Sequence, residues 1–314
     1  MPLQVAIQMD PLTGVNFASD SSIRIAAEAE RRGADVYVYE PKDLSWQPGL
    51  LSVPARRVRG LNPPTASCSA ESPEVIDLGE MDVIWVRQDP PFDLAYIASL
   101  HLLELVADRV LVLNNPRSIR DAPEKMLVLR YPELTPPTLI TRDRASIAAF
   151  REAHRDLILK PLGGHAGHGV FHLGPEDENF ASALETLLTV SAEPLIVQRY
   201  LPEVREGDRR ILLVEGEPVG AFARIPATGE SRAAMRTGSQ VEKAVLTPRE
   251  LEICRTIGPA LRDMGLLFVG IDVIGGCLTE INVTSPTGIA QVERLEGVNA
   301  AALIWDAVEK RLRK

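Results

Sequence analysis

Residues 266–283, LLFVGIDVIGGCLTEINV, hold two apolar runs on either side of Gly275-Gly276 and read as an antiparallel hairpin. The second arm breaks its own pattern. Among core-type Leu278, Ile281 and Val283 it carries Glu280 and Asn282. Strand side chains alternate in direction, so these two share one face. Asp272 lies eight residues before Glu280, and direct opposition of the two requires an odd loop. A three-residue loop, Gly275 to Cys277, meets that need and is a common hairpin type. Three oxygen-bearing side chains on an otherwise apolar hairpin are costly unless something compensates them. A salt-bridge network is one compensation. The other is Mg²⁺, a hard cation that takes a few carboxylates and completes its shell with phosphate oxygens and water. A metal bound that way implies a nucleotide.

Upstream, 206–226 (EGDRRILLVEGEPVGAFARIP) is a second hairpin around Glu215-Gly216-Glu217, with Arg210 and Arg224 on opposite arms away from the turn. Two converging guanidiniums suit a carboxylate or a developing phosphate charge; a solvated cross-strand face is the plainer alternative. Residues 194–203 (PLIVQRYLPE) form an apolar strand running into Gln198, Tyr200 and Leu201. Its end can pair with a purine edge, but nothing in the residue types requires this, and a plain edge or core strand is the simpler reading. In 157–173 (LILKPLGGHAGHGVFHL) two strands flank a loop with Gly163, Gly164, Gly167 and Gly169. Glycines let backbone N–H groups approach an anion closely. A strand follows the loop, which disfavours the strand-to-helix phosphate motifs. A flap over a triphosphate, with Lys160 reaching the phosphates, competes with a merely flexible turn. His165, His168 and His172 suggest zinc, but no fourth ligand or cysteine accompanies them, so solvated loop histidines are the simpler reading.

The first third differs. Strands at 3–9, 35–40, 82–87 and 110–116 alternate with helical patterns, as in an open α/β sheet with parallel strands. Asp20 or Ser21 can cap the first helix and Gly33 can end it. Residues 41–81 read as an irregular excursion, and SIRDAPEKMLVLRY after residue 117 as a helical connector. We expect an α/β domain over 1–120 and an α+β domain over 121–314. The latter divides into lobes of about 121–200 and 201–314. The 314 residues carry 34 basic and 43 acidic side chains, net −9, without a basic run, which argues against nucleic acid. No stretch has the length of a membrane span, and the start lacks a signal peptide's basic region. Cys68, Cys254 and Cys277 have no metal-like spacing and suit a reducing cytoplasm.

A glycine flap after LILKP, a purine-edge strand and an Asp…Glu-x-Asn hairpin together resemble the ATP-grasp ligases. More narrowly, MDP, DSS, RQDPPFD, EKM, ILKPL, GDRRILLVEGEPV, ARIP, FVGIDVIG and LTEINVTSPTGI resemble the bacterial glutathione synthetase family along the full length. The resemblance implies a pre-ATP-grasp α/β domain followed by an ATP-grasp fold. It implies joining of glycine to γ-glutamylcysteine with ATP and Mg²⁺, Mn²⁺ being a substitute ion, in a homo-oligomer (dimer or tetramer).

Carried over, Lys125 and Lys160 contact ATP. The flap glycines Gly163, Gly164 and Gly167, with Gln198, Tyr200, Leu201 and Asp208, line its cleft. Asp272, Glu280 and Asn282 bind the metal. By the same resemblance, Arg210, Arg224 and Lys160 stabilise the reacting groups. Arg224, Asn282 and Ser285 position the dipeptide, and Arg232 stands by in the lid. Three lid positions depart from the family: Ala234, Ser239 and Gln240 replace Asn, Gly and Arg. Ala290 also replaces an Arg. These departures leave two alternatives open. One is a ligase for another dipeptide or acceptor; the other is a nucleotide-binding relative with weakened catalysis.

Overall fold

A computed structural model describes residues 1–65, 67–164, 167–230, 232–233 and 238–313. The chain begins with β1 (Gln4–Gln8), α1 (Ser21–Arg31) and β2 (Asp35–Tyr39). Asp20 caps α1 by accepting from the Ile23 N–H, leaving Ile23, Ile25, Ala26 and Ala29 on its buried side. Residues 41–81 are not irregular. They form β3 (Ser45–Gln47), β4 (Leu50–Asn62), β5 (Ser67–Ala70) and β6 (Glu74–Asp77). β4 alternates buried Leu51, Val53 and Ala55 with half-buried or exposed neighbours, a half-buried strand signal that its Pro and Arg content obscures. β7 (Val83–Val86), α2 (Leu94–Glu104), β8 (Leu111–Leu113) and α3 (Pro116–Asp121) follow. The sheet order is β3-β4-β2-β1-β7-β8, parallel across β2-β1-β7-β8, with β5 and β6 also on β4.

A four-stranded antiparallel sheet comes next: β9 (Thr138–Thr141), β10 (Leu157–Pro161), β11 (Phe171–Leu173) and β12 (Leu195–Arg199), ordered β11-β10-β12-β9. β12 lies inside the sheet, so the core reading of that strand holds. Helices α4 (Arg144–His154) and α5 (Phe180–Val190) cover the sheet, and Ile147, Leu159, Leu187 and Val197 make a core of its own.

The third sheet contains β13 (Asp208–Val214), β14 (Glu217–Ile225), β15 (Gln240–Lys243), β16 (Phe268–Ile274) and β17 (Cys277–Asn282), ordered β15-β14-β13-β16-β17. Helices α6 (Pro248–Asp263), α7 (Ile289–Glu296) and α8 (Ala300–Leu312) complete the chain. This sheet shares its core with the first. One cluster joins Ile7, Trp85 and Ile23 to Phe222, Phe268 and Trp305. Asn114 crosses the junction: its amide donates to the carbonyls of Phe268 (2.7 Å) and Val283 (2.8 Å), and its oxygen accepts from the Phe268 N–H (3.0 Å). Among the described residues, no helix is long and apolar enough to cross a membrane.

Candidate active site

The β16–β17 hairpin fixes the site. Asp272 pairs directly with Glu280, and Gly270 with Asn282, so all three polar side chains lie on one face as expected. The loop expectation needs correction. Gly275 (φ 55°) and Gly276 (φ 74°) make a two-residue turn of the left-handed type that glycine favours, because Ile274 pairs with Cys277. The odd residue is absorbed by a bulge instead, with the register shifting between Asp272 and Val273. Thr279 takes up the slack, its hydroxyl donating to the Asp272 carbonyl at 3.1 Å.

Asp272 is buried and fully engaged. Arg210, which pairs with it across β13 and β16, donates Nε to Oδ1 (2.5 Å) and Nη2 to Oδ2 (2.9 Å). Arg224 Nη2 lies 3.0 Å from Oδ1 and also meets Asp208 Oδ2 at 2.6 Å. Asn282 donates its amide N–H to Oδ2 at 3.4 Å. Thus the two arginines converge on protein carboxylates. Burial opposes the Asp272 charge, but Arg210 and Arg224 outweigh it and hold the carboxyl well below its usual range. Asp208 moves the other way, pushed up to about 7 by burial and the Asp272 charge against the pull of Arg224.

Facing this hairpin is a cavity of about 480 Å³, a size suited to a small-molecule site. Lys160 reaches it from the end of β10, buried and, among the described residues, held by no ion pair. Burial lowers its pKa, with Glu280 acting in the opposite sense. Lys125 lies 3.9 Å from Glu280 and donates to the Gly164 carbonyl of the flap. Gln198, Tyr200 and Leu201 line the wall beyond Lys160, together with Gly164 and Gly167. Gly163 is not on the lining; its N–H donates to Glu193 Oε2 at 3.1 Å. Ser285 closes the far end and donates to Asp89 at 2.8 Å. Arg232 lines the mouth, pairs with Glu230 at 2.6 Å and donates to the Gly167 carbonyl at 3.3 Å, joining lid to flap.

The flap is a hairpin, with β10 antiparallel to β11. His172 stacks on Tyr200 (3.8 Å between ring centroids) and meets Asp156 at 2.7 Å, so it braces the wall. Among the described residues no three His, Cys, Asp or Glu side chains gather as a metal-binding group. His165, Ala166 and Ala234 lie outside those residues. Gln240 is exposed and begins strand β15, while Ala290 is buried in α7. Asp89, Glu124 and Thr284 also line the cavity without having been singled out from the sequence. Asp89 and Glu124 stood inside the RQDPPFD and EKM motifs. Nothing in their spacing pointed to a shared site, because the chain folds back across two sheets to unite them.

Residues 3–120 match the family model for the prokaryotic glutathione synthetase N-terminal domain, and 124–297 that for its ATP-grasp domain. The glutathione synthetase of Agrobacterium fabrum is 51% identical over 307 residues, covering 98% of this chain and 96% of that protein. That of Brucella melitensis is 48% identical over 311 residues, covering 99% and 100%. The structure of the D-cycloserine synthetase DcsG aligns at a TM-score of 0.69 with 13% identity, covering 98% of this chain and 99% of that one, a likeness of fold. With both halves matched in order and shared with relatives over nearly the whole length, the chain belongs to the prokaryotic glutathione synthetase family.

Proposed function

We propose that the chain is an ATP-dependent ligase that joins glycine to γ-glutamylcysteine through an acyl phosphate, releasing glutathione, ADP and phosphate. The observation that carries this reading is the meeting of Lys125, Lys160, Arg210, Arg224 and the Asp272–Glu280–Asn282 face in one cavity. Lys125 and Lys160 offer positive charge to the phosphates, and the flap glycines close over them. Gln198, Tyr200 and Leu201 take the base, with Asp208 beside the nucleotide. Arg210 and Arg224 stabilise the charge that develops as the dipeptide carboxylate attacks the γ-phosphate, and Arg224, Asn282 and Ser285 hold the dipeptide. Arg232 adds charge at the mouth. Catalysis then rests on positioning and charge stabilisation, without a protein nucleophile.

Asp272, Glu280 and Asn282 are hard oxygen donors, too few for a cage, and suit a cation that arrives with phosphate ligands. They would hold Mg²⁺, or Mn²⁺ in its place, which supplies charge neutralisation at the phosphates. In this reading the domain boundary lies near residue 120. The three free cysteines suit a reducing cytoplasm, and a homo-oligomer is expected. The full set of lysine, arginine and carboxylate positions favours a working ligase over a nucleotide binder that has lost catalysis. ADP release measured with γ-glutamylcysteine and glycine, each omitted in turn, tests the reading. Release should require the dipeptide, and tripeptide should require both. ADP release indifferent to the dipeptide would overturn it.

A further inference from the structure

The second half of such a reaction poses a proton problem. The glycine nitrogen is an ammonium at neutral pH and cannot attack until it loses a proton. Among the described residues, five carboxylates line the cavity: Asp89, Glu124, Asp208, Asp272 and Glu280. Asp272 already accepts from two arginines and Asn282. Asp208 gives Oδ2 to Arg224, and its Oδ1 is buried away from any incoming group. Glu280 faces Lys125 and belongs to the metal-binding face. Asp89 is exposed and takes the Ser285 hydroxyl.

Glu124 is different. Its Oε1 accepts from the Thr284 hydroxyl at 2.5 Å, and its backbone carbonyl accepts from the Ile281 N–H at 3.1 Å. These bonds tie it to the Ile281–Thr284 stretch at the end of β17. Among the described residues no ion pair holds it, and it is only half-buried where it lines the cavity. Resting on the ligase reading above, we infer that Glu124 is the catalytic proton acceptor for the attacking amine. Burial pushes its carboxyl up, Thr284 pulls it down, Glu280 adds to the rise, and Lys125 and Arg210 oppose it. The Tyr96 hydroxyl is a further titratable neighbour. A base whose pKa rises toward the working pH transfers protons more effectively.

The ammonium gives one proton to Glu124, and the freed electron pair forms the C–N bond to the acyl carbon. The bond from that carbon to the phosphate oxygen breaks, and its electron pair leaves with phosphate. The departing phosphate takes the second nitrogen proton.

Glu124→Gln keeps the Thr284 hydrogen bond and the volume but cannot accept a proton. Its rate should be compared with glycine and with hydroxylamine, an acceptor already neutral at pH 7. Glycine ligation should fall by about 10²- to 10⁴-fold, hydroxamate formation should stay at the wild-type rate, and the acid limb of the kcat profile should vanish. Should that variant not fold, Glu124→Asp, which draws the carboxylate back, should show the same split between acceptors. An equal loss with both acceptors, or unimpaired glycine ligation, would overturn the inference. Wild-type protein that makes neither tripeptide nor hydroxamate would instead contradict the ligase reading.

Discussion

Asp272 presents both carboxylate oxygens to donors, four contacts from Arg210, Arg224 and Asn282 in all. A carboxylate has about four acceptor positions, so a cation can bind there only as a donor withdraws. Glu280 has no such clamp; its side chain is 25% exposed and Lys125 stands 3.9 Å away. Glu280→Ala should therefore abolish metal-dependent turnover while leaving the thermal midpoint nearly unchanged, checked by ADP release and by scanning calorimetry. Surviving metal-dependent activity would contradict its place on the metal face. Asp208 supplies a pH test. Its carboxyl titrates near 3.8 when unfolded and at about 7 when folded. Between those values the folded protein holds more protons, so this group's contribution is full below about pH 4 and is lost as pH rises through 7. The slope approaches about 1.4 kcal/mol per pH unit. Asp208→Asn should flatten the stability-versus-pH curve over that window, and an unchanged curve would reject the shift.

Among the elements, the polar face of 266–283 was legible because strand alternation is a strict rule. Its loop was not, because a bulge at Thr279 and a three-residue loop satisfy the same parity. β4 escaped because Pro54, Arg56, Arg57 and Arg59 sit on positions whose neighbours carry the burial. The contact between the β13–β14 turn and α6 was also invisible. A Cβ on Gly258 would meet the Gly216 carbonyl oxygen at 2.5 Å, backbone against backbone. Elsewhere in a helix, Gly→Ala is worth up to about 1 kcal/mol of stabilisation. Here Gly258→Ala should instead cost about 1–3 kcal/mol through overpacking, read from denaturant midpoints. A stabilised variant would show that the two backbones separate freely.

Across the whole molecule, the first and third sheets share their core, whereas the β9–β12 sheet has its own small one. Lys160, Gln198 and Tyr200 stand on or beside that smaller sheet, and Asp208, Arg210, Arg224 and Asp272 on the larger body. The proposed nucleotide site spans the two, so amide exchange in 157–173 and 195–201 should slow on adding ATP, while β16 changes little. Equal protection everywhere would argue against a bridging nucleotide. The α/β order of the first third and the hairpins of the rest were readable from periodicity, but their common cavity was not. It arises from contacts between residues far apart in the chain, such as Ser285 with Asp89 and Thr284 with Glu124.

In the proposed reaction the dipeptide carboxylate is activated as an acyl phosphate in this cavity. γ-Glutamylcysteine labelled with oxygen-18 in the carboxylate that becomes the amide tests it most directly. During ATP-driven ligation to glycine, one labelled oxygen should appear in each released phosphate. Phosphate released without label, while tripeptide accumulates, would rule out an acyl phosphate.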